Sequence, residues 1–167
     1  MTPSFACVVV FGGSAGGGLA IETAAHTSIA AVVGGEPTSE FWMGLYDGPD
    51  PGPLHLTHEV FPRLYTEEVR AFARSVLVKI DCPVLLLDGD PGRFRNADFR
   101  YIMRELEELG KRAKYIGYAG YKHGFFWGRG DRIMTVQEVD EVVEDVHAFS
   151  RPHLKTQPKP LRLLSSP

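Results

Sequence analysis

Long apolar runs, excess positive charge and cysteine are all scarce in this chain, and each scarcity closes off a class of function. No uninterrupted apolar stretch approaches the roughly 20 residues that a membrane-spanning helix needs. Lys and Arg number 18 against 21 Asp and Glu, a net charge of −3 at pH 7. That balance offers no basic field to hold nucleic acid or an anionic bilayer. No basic segment precedes the first apolar run, so the N-terminus does not read as a secretory signal, and the expected compartment is the cytoplasm. Cys7 and Cys82 are the only cysteines and each opens an apolar run. They are expected to be buried, reduced thiols rather than a disulfide framework or a metal site. No metal, cofactor, internal repeat or low-complexity domain is expected.

What is present is an ordinary globular composition, 44% hydrophobic and 23% charged over 167 residues. A chain of that length buries roughly 70% of the surface its unfolded form exposes. Strand-like and helical patterns alternate along it. Cys7–Phe11 is a short continuous apolar run, read as a strand buried on both faces. Leu19–Ala25 reads as a small-residue helix, and Ile29–Val33 as a second buried strand ending in Gly34 and Gly35. From Glu36 no period survives, and Asp47 to Pro53 is a dense turn signal, so residues 36–63 are expected to be a long loop or small cap. Thr66 starts a helix with Val69, Phe72, Ala73, Val76 and Leu77 on one face. Pro83–Leu87 is a third buried strand. Asn96 is a candidate cap for a helix that turns Phe99, Ile102, Leu106 and Leu109 inward and stops at Gly110. Lys114–Tyr118 is a more polar, edge-like strand. Thr135–Glu138 forms a capping box for a last helix with Val139, Val142, Val143, Val146 and Phe149 inside. Residues 1–154 are therefore read as one α/β unit, a parallel sheet of about four strands flanked by helices, and 155–167 as a loose tail.

In parallel sheets ligands bind beyond the carboxyl ends of the strands, and three of the four runs deliver a reactive residue there. The first ends in Gly12-Gly13-Ser14-Ala15-Gly16, a Gly-x-Ser-x-Gly turn. Such a turn lifts the serine hydroxyl above the sheet and points the first helix amides at a substrate carbonyl. The third ends in Asp88-Gly89-Asp90-Pro91-Gly92, and the fourth leads to Lys122-His123-Gly124-Phe125. Gly12–Gly18 lacks the Lys-Ser/Thr of a P-loop, and Ser14 and Ala15 occupy positions a dinucleotide fingerprint reserves for glycine. The remaining histidines, His26, His55, His58, His147 and His153, read as surface residues. The order Ser, Asp, His is that of one hydrolase fold and differs from the orders of the two well-known serine protease folds.

With these residues in view, the chain resembles the C-terminal half of an α/β-hydrolase. Val10–Gly17 is similar to the serine turn of carboxylesterases related to hormone-sensitive lipase and of the feruloyl and acetylxylan esterase-like group. Leu109-Gly110, Tyr115–Tyr118 and His123-Gly124-Phe125-Phe126 resemble the end of those esterases and of prolyl-oligopeptidase-type peptidases. The resemblance implies ester hydrolysis through an acyl-enzyme, with Ser14 as nucleophile, His123 as general base and acid, and Asp90 orienting the imidazole. Asp88 and Asp98 stand behind Asp90 as the acid. The Ala15 N–H would supply one oxyanion contact, and Trp42, Phe41, Tyr46 and Trp127, with Gly13, would line an acyl or alcohol pocket, the alternative for the aromatics being ordinary core or cap packing. The implied partner is a small-molecule ester. Two other readings are kept, a serine peptidase of the prolyl-oligopeptidase type and a non-catalytic truncated remnant. The family's sheet has eight strands, and its second oxyanion amide comes from a loop after an earlier strand. Only residues 1–7 precede the serine strand here, so that half is expected to be missing, activity to be weak, and the open strand edge to favour a homodimer.

Overall fold

A computed structural model describes residues 4–37, 39, 43, 61–89, 97–121, 123–125 and 134–154. Its elements run β1 (Ser4–Gly13), α1 (Ala15–His26), β2 (Ser28–Gly35), α2 (Phe61–Leu64), α3 (Glu67–Leu77), β3 (Val84–Asp88), α4 (Ala97–Glu108), β4 (Ala113–Gly117) and α5 (Val136–Ser150), closed by a 3-10 turn at Arg151–His153. The four strands form one sheet in the order β1-β2-β3-β4, every pair parallel. A strand order that advances in one direction, with right-handed crossovers, puts the connecting helices on one face. Helices α1, α3 and α4 share that face, and α5, which follows the last strand, covers the other.

The period of two along the central strands feeds these two cores separately. Val32, Val84 and Leu86 point into the larger one, with Ile21, Ala24, Leu77, Ile102 and Leu106. Val33, Leu85 and Leu87 point into the smaller one, with Tyr121, Phe125 and Val142. Helix ends follow local chemistry. Thr66 Oγ1 accepts from the Val69 N–H at 3.3 Å, Thr135 and Glu138 form a reciprocal capping box, and Gly110 leaves α4 at φ 67°, a conformation glycine adopts without cost. Between α3 and α4, Arg70 and Arg74 both bind the fully buried Glu105, and both also reach Glu108.

Several sequence expectations are corrected. The first run is not buried on both faces: Val8 is 38% and Phe11 47% exposed, and Cys7 is exposed while Cys82 is buried. β1 is an edge strand of the described sheet, flanked only by β2 on one side. Phe72 and Val143 lie in solvent as well. Phe72 sits about 100° around α3 from Ala73, and Val143 is similarly rotated from the Val142, Val146, Phe149 line; Val139, in the first turn of α5, is also exposed. The Asn96 cap, most of the 36–63 segment and the 155–167 tail lie outside the described residues. Among those described, no helix is long and apolar enough to cross a membrane, and no cluster of metal-ligating side chains occurs.

Candidate active site

Because all four strands are parallel, their carboxyl ends meet along one rim. Ser14 follows β1, Glu36 follows β2, Asp88 ends β3, and His123 lies in the turn after β4. Ser14 occupies φ 53°, ψ −126°, a region that non-glycine residues rarely enter and that costs about 1–3 kcal/mol. Its N–H donates to Gly35 O at 2.8 Å, and its carbonyl accepts from Gly17 N at 2.8 Å and Gly18 N at 3.1 Å. The turn is held from both sides.

Glycine spacing around this serine has a steric cause. A Cβ on Gly12 would stand 2.0 Å from Gly16 O, and one on Gly17 would stand 2.8 Å from the Pro37 Cα. A Cβ on Gly16 meets no described atom within 4 Å. The close approach is therefore built at Gly12 and Gly17, with Gly16 contributing its carbonyl. Ala15 opens α1, where the first N–H groups have no partner within the helix. Gly13 is the last residue of β1, paired in register with Gly35.

The fold brings Ser14 and His123 together from positions 109 residues apart: His123 Nε2 lies 3.0 Å from Ser14 Oγ. The other ring nitrogen faces a carboxylate that sequence reasoning passed over, with Glu36 Oε2 at 3.8 Å from His123 Nδ1. Glu36 is 2% exposed and adopts φ 47°. Its Oε1 accepts from the Gly89 N–H at 3.3 Å, its Oε2 accepts from the Gly124 N–H, and its own N–H donates to Leu87 O at 2.8 Å. Burial pushes the Glu36 carboxyl up to about 7, with the neighbouring Asp88 adding to the rise and the two backbone N–H groups opposing it. The signal in the sequence was a carboxylate directly after a buried strand and two glycines, the same placement that singled out Asp88.

Asp88 is buried and accepts from Tyr115 Oη at 2.7 Å. Asp98, at the start of α4, accepts from Ser39 Oγ. Asp90, Trp42, Trp127, Phe41 and Tyr46 lie outside the described residues. Of the other histidines, His26 and His147 are exposed, and His153 packs edge-on to Phe149.

No family model matches the chain, and a search of curated proteins finds no match. Solved structures do match. A Rhizomucor miehei esterase superposes with a TM-score of 0.58 at 17% identity, over 89% of this chain and 52% of its own. The Est2 esterase of Thermogutta terrifontis gives 0.52 at 21% identity, over 92% of this chain and 59% of its own. A puromycin-hydrolysing peptidase of Mycobacterium tuberculosis gives 0.60 at 22% identity, over 92% of this chain and 23% of its own. The chain thus spans a little over half the length of these esterases and about a quarter of the peptidase. Its parallel four-stranded sheet, flanked by helices on both faces, is a partial α/β-hydrolase fold.

Proposed function

We propose that this chain carries the nucleophile and the base of a serine hydrolase that cleaves carboxylic esters through an acyl-enzyme. The observation that carries the reading is the 3.0 Å approach of His123 Nε2 to Ser14 Oγ at the rim of the sheet. Nucleophile and base must stand within hydrogen-bond reach for the hydroxyl to be activated. Ser14 Oγ attacks the ester carbonyl carbon as its proton passes to Nε2, and the carbonyl π pair moves onto oxygen. The Ala15 N–H, at the start of α1, donates to that oxyanion. Collapse expels the alkoxide, which takes the proton from the imidazolium. Water then repeats the sequence on the acyl-serine, releasing the acid. Asp90 is the acid that orients the imidazole, two residues past the end of β3. One oxyanion donor is worth about 10²- to 10³-fold in rate, and Ala15 is the donor assigned here.

The structural neighbours include esterases and a puromycin-hydrolysing peptidase, two activities that differ in the leaving group. Hydrolysis of p-nitrophenyl acetate by the chain, beside a p-nitroanilide peptide, separates the two. The expected result is measurable ester cleavage that falls at least 100-fold in both Ser14→Ala and His123→Ala, with little anilide cleavage. Equal rates in the parent and both variants would remove the assignment.

A further inference from the structure

Glu36 reaches two turns at once. Its carboxylate accepts the N–H of Gly89, in the turn after β3, and the N–H of Gly124, in the turn after β4. The end of β3 and the turn after it are further tied to the segment following β4 by Tyr118 N to Asp88 O at 2.8 Å and Tyr121 N to Gly89 O at 3.1 Å. The second of these turns carries His123, whose Nδ1 lies 3.8 Å from Glu36 Oε2. This side chain is 1% exposed, and His123 is 37% exposed. A carboxylate enters so dry a place only with compensation, and its own backbone holds a left-handed φ of 47° that a glycine would take without strain. Both costs fall on the residue that links the strand ends.

We propose that Glu36 is a second carboxylate of this site, a positioning residue that fixes the His123 turn through the Gly124 N–H and sets the negative charge beside the imidazole. This rests on the serine hydrolase reading above and is separate from the role given there to Asp90. At 3.8 Å the carboxylate exceeds hydrogen-bond length, so it acts on the ring by charge. When Ser14 Oγ gives its proton to Nε2, the imidazolium forms beside Glu36, and an ionised Glu36 lowers the energy of that state. Among the described residues, the titratable groups facing it are His123 from the turn after β4 and Asp88 from the end of β3. Asp88 repels the ionised form, and His123 attracts it once its ring is protonated. With a carboxyl raised to about 7, the charge at this position changes across neutral pH.

The test follows the His123 ring by NMR titration of the full chain with ring-labelled histidine, its signal assigned by its loss in His123→Ala. In Glu36→Gln the His123 midpoint is expected to fall by about one unit, the lower end of what an opposite charge at this distance supplies. Glu36→Gly, whose backbone suits the observed φ, guards against a misfolded amide variant and is expected to show the same fall. Glu36→Asp keeps the charge and is expected to restore part of it. In parallel, the rate of fluorophosphonate labelling at Ser14 is expected to drop about tenfold in Glu36→Gln at pH 8 and to recover partly in Glu36→Asp. An unchanged His123 midpoint in both Glu36→Gln and Glu36→Gly overturns the proposal. A parent chain that shows the midpoint shift but no Ser14 labelling leaves the Glu36–His123 coupling standing and removes the hydrolase reading instead.

Discussion

Ser14 and Glu36 share a backbone that side chains avoid: both are non-glycine residues at positive φ, 53° and 47°, and both sit where a strand meets the rim. Strain of this kind persists only where neighbours over-determine it, and the glycines around Ser14 do so. Gly12 and Gly16 stand symmetrically in the Gly-x-Ser-x-Gly pattern, yet only Gly12 is crowded, its Cβ position lying 2.0 Å from Gly16 O. Gly12→Ala is therefore expected to push the serine turn out of shape and abolish Ser14 reactivity, while Gly16→Ala keeps at least a third of it. Comparing the labelling rates of the two variants checks this; equal loss in both would contradict the steric account. Ser14 and His123 stand out as candidates in the sequence because each follows a strand-like run and carries chemistry. Glu36 follows a buried run too, but its role rests on backbone N–H groups 53 and 88 residues away and on the histidine beside the second of them. No local pattern encodes those contacts.

At the level of elements, helices α3 and α4 are joined by charge as well as by apolar packing. Burial pushes the Glu105 carboxyl up, but its bonds to Arg70 and Arg74 outweigh this and hold it below the ordinary 4.5. A carboxyl depressed in the folded state contributes stability that is fully present above pH 4.5 and is lost as pH falls through the folded value. Glu105→Gln is expected to lower Tm by about 5 °C at pH 7, with the gap to the parent closing in acid. Thermal melts at pH 7 and pH 3 measure it, and a gap that stays constant would contradict the assignment. The helices themselves were readable from period and caps: Thr66, the Thr135–Glu138 box and Gly110 mark real ends. Their faces were read too generously. Apolar residues adjacent in sequence, Phe72 beside Ala73 and Val143 beside Val142, blur a 100° step, and only the packed sheet decides which side of that step is covered.

Across the whole molecule, the sheet is asymmetric in its cover. β2 and β3 are buried throughout their central residues, whereas β1 exposes Cys7, Val8 and Phe11. The error in reading the first run as fully buried has this origin: a continuous apolar stretch signals a strand that needs cover without saying what supplies it. Exposed strand edges template pairing with another chain, and self-association through β1 is the expected consequence. Light scattering is expected to give twice the chain mass at high concentration, with Cys7 protected from a thiol reagent and becoming reactive on dilution. Cys82, buried and with its thiol pushed up to about 11, is expected to stay unreactive throughout. A monomer at all concentrations with Cys7 always reactive would contradict edge pairing.

The proposed chemistry turns on Ser14 as a living nucleophile activated by His123. Incubating the chain with a fluorophosphonate and mapping the adduct by peptide mass spectrometry tests it most directly. A single adduct on Ser14 is expected, absent in Ser14→Ala and formed at least 100-fold more slowly in His123→Ala. A folded chain that forms no adduct, or one that forms it at the same rate without His123, would contradict it.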